Sequence, residues 1–588
     1  MISLKTTEVR TEREKHAIKI DKREIPLGVG PKPELKENEK LIANTLSLCP
    51  ECYRRLRAVV FERDGKVFIR KICPEHGEFE EVYWGDAELY RKALKYAAPP
   101  LKVENVNIPK IDIPCPFNCG ICPLHKNQTA LANIVLTNRC DISCWYCFFF
   151  AEKAGYVYEP SIDTLRNMIR TLRKQGPWHP NAVQLTGGEP TLRDDLVDIV
   201  KMMKEEGITH IQLNTNGLKF AKLWFTEGPD AAIAYTHQLR EAGVNTVYLS
   251  FDGVTPKTNP KNHWEMPYIL ETFRRAGMTS TVFVPVVIKG VNTHELGDII
   301  DYAARNMDVV RGVNFQPVSL VGSMPRKERN KYRVTIPDVI KMIEEQTDGM
   351  IGREAWYPVP VTYVFSDFVE AITKKPTLKM TNHPACGAAT YVFPEFKKVN
   401  GKRVVEDYIP ITDFVDVEGL YHLLKEKAEQ ARNGKSKWRI YLSFAWNIRK
   451  FIHRDRTPTG LNLRRILLKI IRTRSYSALG EFHYRVLYLG MMHFQDLYNY
   501  DIARVERCNI HYLTPDGRII PFCAFNVMPD LYRDYIQKKY SISFEEYARM
   551  KGPDALGPKS KYVRDIKKLV STEIYQKSYE PYKKKYGY

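Results

Sequence analysis

The segment Cys140-Asp-Ile-Ser-Cys144-Trp-Tyr-Cys147 places three cysteines on one short loop of a 588-residue chain. Cysteines separated by three and then two residues can bind three corners of a [4Fe–4S] cube, which leaves the fourth iron without a protein ligand. The loop directly follows the strand predicted at Ala132–Leu136, at the end of the strand where barrel enzymes carry their active sites. The spacing therefore predicts an iron–sulfur centre with one open coordination position.

A glycine-rich segment, Thr186-Gly187-Gly188-Glu189-Pro190, follows the next predicted strand. Its glycines allow a ligand to approach the backbone closely, and Glu189 can accept a hydrogen bond from an amine. The predicted strands lie at Ala132–Leu136, Ala182–Leu185, His210–Leu213, Thr246–Ser250, Ser280–Val287 and Gly312–Pro317, with helices between them, such as Ser161–Gln175 and Arg193–Glu206. Repeated βα units form a parallel sheet with helices on its outer face, so the pattern predicts an α/β fold built as a partial, six-stranded barrel.

Residues 130–320 resemble the radical S-adenosylmethionine (SAM) superfamily, whose pattern is Cys-x3-Cys-x-aromatic-Cys followed by Gly-Gly-Glu after the second strand. The resemblance implies a partial (β/α)6 TIM-like barrel. It also implies that Cys140, Cys144 and Cys147 hold the [4Fe–4S] cluster, that Tyr146 contacts adenine, and that Gly187, Gly188 and Glu189 hold the methionine end of SAM.

The same resemblance places Ser250 and Asp252, at the end of the fourth strand, where the family binds ribose. Asn216, after the third strand, is a further candidate for SAM binding. The alternative for these three residues is that polar side chains at strand ends cap turns.

Two further groups of three cysteines are candidates for auxiliary clusters. Cys115, Cys119 and Cys122 have the same spacing, but they lack an aromatic residue before the last cysteine and lie far from the glycines, so SAM is assigned to the later copy. Cys386, Cys508 and Cys523 resemble the cysteines of SPASM and twitch extensions, although three are present rather than four. A zinc site or structural loop is the alternative for the first group, and unrelated buried cysteines for the second.

The N-terminal region carries a fourth set, Cys49, Cys52, Cys73 and His76, with Asp64-Gly65 between two β-branched runs. A hairpin joining two such pairs is typical of a zinc ribbon or a rubredoxin-like site, and one mononuclear Fe or Zn fits tetrahedral coordination. The two auxiliary groups then lack a fourth cysteine. His125 and His383 are candidate fourth ligands, with an ordinary polar role as the alternative.

Composition limits the function classes. The chain is 44% hydrophobic and 27% charged, as in globular proteins, and its longest apolar runs are far shorter than the roughly 20 residues of a bilayer span. No secretory signal is recognised at Met1, so we expect a cytoplasmic protein with reduced thiols. The expected domains are 1–110 (an arm and the metal domain), 111–335 (the barrel with the preceding cysteine loop), 336–530 (the auxiliary-cluster and substrate domain) and 531–588 (a basic helical tail).

A net charge of +20 favours an anionic partner. Residues 439–475 are basic and amphipathic, which suits an anionic membrane surface or phosphate groups, with an ordinary core helix as the alternative. The Cys144–Pro160 and Pro521–Val527 segments resemble archaeal tetraether lipid synthases over most of residues 45–550. That resemblance implies an enzyme peripheral to the membrane that couples terminal methyl carbons of isoprenoid chains on a phosphate-headed lipid.

The three groups of three cysteines predict three [4Fe–4S] clusters, and the radical SAM resemblance implies SAM and a low-potential electron donor such as ferredoxin. The alternatives are a radical SAM methylase of a pterin precursor and a radical SAM RNA-modifying enzyme. No RNA-binding module is recognised, so no nucleic-acid partner is expected. An apolar tunnel would favour lipid, a compact polar pocket would favour pterin, and a continuous basic groove would favour RNA.

Overall fold

The structure is a computed structural model, which describes residues 17–20, 22–149, 154–399, 401–453, 457–458, 461, 480–556 and 561–588. The N-terminal part begins with the hairpin β1 (Ala17–Ile20) and β2 (Arg23–Pro26). A four-stranded antiparallel sheet follows, in the order β3 (Lys40–Leu48), β4 (Arg55–Arg63), β5 (Lys66–Cys73) and β6 (Gly77–Trp84), and then helix α1 (Ala87–Leu94). Asp64 and Gly65 both have positive φ, as the predicted hairpin turn requires.

The barrel contains six parallel strands that match the six predicted from the sequence. They are β7 (Leu131–Thr137), β9 (Ala182–Gly187), β10 (His210–Thr215), β11 (Val244–Leu249), β12 (Thr281–Phe283) and β14 (Val310–Pro317). The strand predicted at Ser280–Val287 is interrupted at Pro285, which has no N–H to donate, and continues as β13 (Val286–Val287). The short β8 (Tyr156–Val157) lies outside this sheet.

Helices cover one face of the barrel sheet. They are α2 (Ile162–Arg173), α3 (Leu196–Glu205), α4 (Leu218–Thr226), α5 (Pro229–Ala242), α6 (Met266–Arg275) and α7 (Leu296–Arg305). Ala132, Ile134 and Leu136 of β7 pack with Leu165 and Ile169 of α2 in the main core. Because side chains alternate along a strand, the residues between them face the enclosed space of the barrel.

The C-terminal half adds strands to both edges of this sheet. Its elements are α8 (Arg329–Tyr332), α9 (Ile336–Gln346), β15 (Tyr357–Pro358), α10 (Tyr363–Thr373), β16 (Gly387–Val399), β17 (Lys402–Pro410), α11 (Val417–Arg432), α12 (Lys437–Asn447), α13 (Gly480–His483), β18 (Leu487–Met492), α14 (Ile502–Glu506), β19 (Ile510–Leu513), β20 (Ile519–Pro521), α15 (Phe522–Val527), α16 (Arg533–Lys539), β21 (Ile542–Ser543), α17 (Phe544–Lys551), α18 (Ile566–Val570) and α19 (Glu573–Tyr586). Strand β18 pairs parallel to β14, and β19 pairs parallel to β7.

The parallel path therefore holds eight strands rather than the six expected, in the order β18-β14-β12-β11-β10-β9-β7-β19. Residues 493–509 run from one edge of this path to the other. Among the described residues, no helix combines the length and the apolar character that crossing a bilayer requires.

Candidate active site

The loop that carries Cys140, Cys144 and Cys147 is held against the glycine-rich segment by backbone contacts. A Cβ atom at Gly187, whose φ is +145°, would lie 2.2 Å from the Thr137 carbonyl oxygen, and one at Gly188 would lie 2.1 Å from that of Arg139. The Gly188 N–H donates to the Thr137 carbonyl at 2.9 Å, and the Glu189 N–H donates to the Arg139 carbonyl at 2.8 Å. The glycines thus allow the second barrel strand to reach the cysteine loop itself.

Cys140 and Cys144 of this loop have poorly solvated thiols. Burial raises the pKa of Cys144 to about 11; Lys261 opposes this rise and Cys147 adds to it. Burial, and after it Asp141, also raise the pKa of Cys140 well above its ordinary value. Thiols so far removed from water ionise readily only when a metal replaces the proton, so this donor set fits an iron–sulfur cluster.

Glu189 is fully buried and bound by four protein donors. Its carboxylate accepts from the N–H and hydroxyl of Thr191, the Thr215 hydroxyl and the Asn216 N–H, all within 3.0 Å. Burial, and then the charge of Asp141, raise the pKa of Glu189 to about 7. A nearby cationic amine would favour the charged carboxylate, so the site fits the methionine end of SAM, although that role of Glu189 stays a prediction.

Asn216 and Ser250 take part in the backbone framework around the cysteine loop. The Asn216 side chain donates to Asp141 at 2.7 Å, and its carbonyl accepts from Asn262. The Ser250 N–H donates to the Thr215 carbonyl at 3.1 Å, and the Asn262 side chain also donates to the Ser250 carbonyl. Their proposed contacts with SAM remain predictions, and the turn-capping alternative accounts for part of their bonding.

Tyr146 and Asp252 meet at a lysine that the sequence analysis missed. The Tyr146 hydroxyl donates to Asp252, and Lys261 Nζ lies 2.8 Å from Asp252 Oδ2 and 5.0 Å from the centroid of the Tyr146 ring. The Val286 N–H donates to the other carboxylate oxygen at 2.9 Å. Because lysines are common on loops, nothing in the sequence distinguished Lys261 from an exposed one.

The first auxiliary group lies on a loop whose backbone is fixed by Tyr532. The Cys119 N–H donates to the Tyr532 hydroxyl at 3.1 Å, and that hydroxyl donates to the Pro116 carbonyl. The contact with Cys119, and then burial, raise the pKa of Cys115 well above its ordinary value. All three cysteines, Cys115, Cys119 and Cys122, line one cavity together with His125 and Pro521.

The second auxiliary group is brought together around a buried arginine. Burial acts to lower the pKa of Arg504, but the Cys386 thiol, Tyr83 and the Cys523 thiol raise it. Burial and Cys523 raise the pKa of Cys508. Among the described residues Arg504 Nε has no hydrogen-bond partner. A buried cation facing thiols fits a site that holds negative charge, as a thiolate-bound cluster does.

The two candidate fourth ligands lie beside these groups but are engaged elsewhere. His125 Nε2 lies 2.8 Å from the Cys508 carbonyl oxygen and 3.0 Å from His511 Nε2, which links the two auxiliary groups. His383 Nδ1 accepts from the Ala385 N–H at 3.1 Å. Ligation by either histidine stays a prediction.

The N-terminal group forms a compact candidate metal site. The ligand atoms of Cys49, Cys52, Cys73 and His76 all lie within 4.8 Å of one another. The Cys52 and Cys73 sulfurs are 3.9 Å apart, close to the ~3.8 Å that tetrahedral geometry sets for metal–sulfur bonds of ~2.3 Å. This donor set fits one tetrahedral zinc or iron.

The inner face of the barrel sheet is lined by polar side chains. Asn133, Gln184 and Gln212 are register partners on the neighbouring strands β7, β9 and β10, and Asn214, also on β10, pairs with Tyr248 on β11. Gln184, Asn214 and Tyr248 are partly exposed although their strands are central in the sheet and covered by helices on the outer face. These side chains are therefore exposed to the space that the barrel encloses. Among the described residues Asn133 Oδ1 and Asn214 Oδ1 lack hydrogen-bond partners. The space beside the cysteine loop therefore suits a polar ligand.

Comparison with known proteins places these features in context. Residues 134–303 match the radical SAM superfamily, and residues 41–85 match the HMPTM N-terminal zinc ribbon domain. The chain is 46% identical over 519 residues to the 7,8-dihydro-6-hydroxymethylpterin dimethyltransferase of Methanocaldococcus jannaschii, covering 86% of this chain and 97% of that protein. It is 27% identical over 240 residues to a probable GTP 3',8-cyclase of Methanothermobacter marburgensis, covering 39% of this chain and 71% of that protein. The crystal structure of methylornithine synthase matches with a TM-score of 0.28 and 16% identity, over 38% of this chain and 64% of that one.

The expectation that the chain couples isoprenoid chains of archaeal lipids is wrong, because the relative that spans most of the chain is named a pterin dimethyltransferase. The predicted partners, a lipid with a phosphate headgroup and an anionic membrane surface, are wrong for the same reason. In the C-terminal tail, Tyr575, Tyr579 and Tyr582 are buried in the main core, whereas Tyr588 is exposed. Much of the basic stretch 439–475, including 462–475, lies outside the described residues.

Proposed function

Because this chain belongs to the radical SAM superfamily, and to one family with the M. jannaschii dimethyltransferase, we propose that it methylates a reduced pterin of the 7,8-dihydro-6-hydroxymethylpterin class. One observation carries the proposal: the match covers 86% of this chain and 97% of that protein, and residues 41–85 separately match the HMPTM N-terminal zinc ribbon domain. A shared barrel alone would leave the substrate open, since unrelated reactions occur on one fold.

The residues present fit the cofactors that this reaction needs. Cys140, Cys144 and Cys147 would hold the SAM-binding cluster, and the two other groups of three cysteines would each hold an auxiliary cluster. The N-terminal site would hold one zinc or iron. When bound and reduced by a low-potential donor such as ferredoxin, the cluster and SAM would supply a carbon-centred radical able to take hydrogen from an unactivated carbon.

The polar inner face of the barrel supports a heterocyclic substrate. A reduced pterin presents an edge of ring nitrogens, an amino group and a carbonyl oxygen, which alternate as hydrogen-bond donors and acceptors. Carboxamides such as those of Gln184, Asn214 and Gln212 offer both functions in one side chain. Tyr248 adds an aromatic surface against which a flat ring can pack. An isoprenoid chain would instead leave Asn133 Oδ1 and Asn214 Oδ1 without a hydrogen-bond partner.

The chain's own residues would position the pterin and exclude water. The polar layer lies a few residues along the strands from the cysteine loop, so a ring bound there faces the open side of that loop. Holding the reacting carbon within about 3.5 Å of the reactive group accounts for much of the rate enhancement in such reactions.

Anaerobically reconstituted protein, incubated with SAM, dithionite and 7,8-dihydro-6-hydroxymethylpterin, tests the proposal by mass spectrometry. We expect a pterin that gains one or two methyl groups, together with 5′-deoxyadenosine, and methyl-deuterated SAM reports whether the methyl group comes from SAM. The Cys144→Ala protein is the matched control and should form neither product. Formation of 5′-deoxyadenosine with no methylated pterin would overturn the substrate assignment.

A further inference from the structure

Lys261 occupies a position where an uncompensated positive charge would be costly. Its side chain is 10% exposed, and its ammonium lies 2.8 Å from the Asp252 carboxylate, which is 2% exposed. The same carboxylate accepts from the Tyr146 hydroxyl, and Tyr146 lies in the chain between Cys144 and Cys147. A lysine is therefore fixed directly beside the loop that carries the cluster ligands.

The ammonium lies beside the cysteine loop, because Lys261 Nζ is 5.0 Å from the centroid of the Tyr146 ring and Tyr146 stands between Cys144 and Cys147. Consistent with this position, Lys261 acts to lower the pKa of the Cys144 thiol. In turn Asp252, and then Cys144 and Cys147, raise the pKa of Lys261 although burial acts to lower it. Charges in such a poorly solvated site are weakly screened, so the interaction is strong compared with that of a surface lysine.

A cluster bound by three thiolates becomes more negative when it accepts an electron. A fixed cation stabilises the reduced state more than the oxidised state, and net charge near a cluster is one of the properties that set its reduction potential. We infer that Lys261 is an electrostatic residue of the cysteine loop, whose ammonium raises the reduction potential of the cluster held by Cys140, Cys144 and Cys147. The inference rests on the assignment of that cluster and not on the identity of the substrate.

A potentiometric titration followed by electron paramagnetic resonance, on the full-length reconstituted protein without SAM or pterin, tests this inference. The signal that is absent from the Cys144→Ala protein identifies the cluster. We expect Lys261→Met to lower the equilibrium constant for reduction at least tenfold, which is 59 mV for one electron. Lys261→Arg keeps the charge and should stay near wild type. Asp252→Asn removes the opposing charge and should shift the potential upward.

Lys257→Met is the matched control, because Lys257 lies in the same loop but is exposed and should leave the potential unchanged. A Lys261→Met protein with the wild-type potential would overturn the inference, and a separate SAM-binding measurement on that protein would then show whether the lysine serves instead to hold SAM. If the Lys261→Met protein does not retain its cluster, the potential of the Asp252→Asn protein becomes the test. An unchanged or lowered potential in Asp252→Asn would also overturn the inference. Failure to methylate pterin leaves these outcomes unaffected, whereas a wild-type protein without the cluster would remove both proposals.

Discussion

Replacing Gly188 with alanine should disable the site through one interatomic contact. The added Cβ would lie 2.1 Å from the Arg139 carbonyl oxygen and 2.6 Å from its carbonyl carbon, both backbone atoms. An ordinary contact of this kind is longer by about 1 Å or more, so the cysteine loop or the end of β9 must move by about that distance. Overpacking of this sort costs about 1–3 kcal/mol of stability, and a ~1 Å misplacement of reacting groups costs about 100-fold in rate.

We therefore expect the Gly188→Ala protein to fold, to bind less iron at the Cys140 loop and to form 5′-deoxyadenosine about 100-fold more slowly. The assay is anaerobic SAM cleavage with dithionite, normalised to iron and sulfide per chain. Gly352→Ala is the matched control, because its Cβ would meet only atoms at 3.4 Å or more. Wild-type cluster content and cleavage rate in Gly188→Ala would refute the argument that this close approach positions the cluster.

Three further predictions concern other parts of the chain. Glu39 accepts a hydrogen bond from Arg70 at 2.8 Å, which is the main reason why the pKa of Glu39 is lowered to about 2, so the stabilisation that this carboxylate provides is present above pH 4.5 and lost as the pH falls toward 2. Glu39→Gln should therefore cost about 1–3 kcal/mol of stability at pH 7 and weaken the fall of the melting temperature with decreasing pH. An unchanged melting temperature at pH 7 would contradict this prediction. Arg504→Met removes the cation facing Cys386 and Cys523, so iron analysis should find about four fewer iron ions per chain, as in Cys508→Ala, and an unchanged iron content would exclude that cluster's dependence on Arg504. Gln212→Leu should raise the KM for the pterin about tenfold, the effect of about one lost hydrogen bond, while SAM cleavage persists; an unchanged KM would place the substrate elsewhere.

The fold was predictable where local pattern and connectivity agree. All six barrel strands were recognised because each is short, apolar and followed by a helix or turn, from β7 at Leu131 to β14 at Pro317. A hairpin turning at Pro515-Asp-Gly517 was predicted and matches β19 and β20, but β18 and the pairing of β19 with β7 were missed, because these strands pair with partners more than 170 and more than 370 residues away, respectively. Nothing in local sequence encodes such pairing.

The site was predictable at the level of cysteine spacing but not of its electrostatics. Spacing and resemblance predicted four groups of ligands, and the structure places the ligand atoms of the N-terminal group within 4.8 Å of one another, whereas ligation by the other three groups stays a prediction. Lys261 and Arg504 were missed because the role of a charged residue depends on its burial and neighbours, which single-sequence reasoning cannot supply. The substrate was predicted wrongly because the Cys144–Pro160 and Pro521–Val527 segments were matched to tetraether lipid synthases, and the basic charge was interpreted as a membrane-facing surface. Some of the basic side chains instead form ion pairs, such as Lys585 with Asp298 at 2.8 Å.

Residues 493–509 contact segments that carry candidate metal ligands from distant parts of the sequence. The His493 N–H donates to the Cys386 carbonyl at 3.1 Å, and Cys508 lies at the other end of this segment. From the N-terminal domain, the Thr45 hydroxyl donates to Asp501 at 2.6 Å and Lys71 donates to the Leu497 carbonyl at 2.6 Å. Because Lys71 precedes Cys73 by two residues, the strand that carries this candidate metal ligand also donates a hydrogen bond to the segment. The metal domain is therefore part of the framework that positions the auxiliary cysteines, and a function assigned from the barrel alone would omit it.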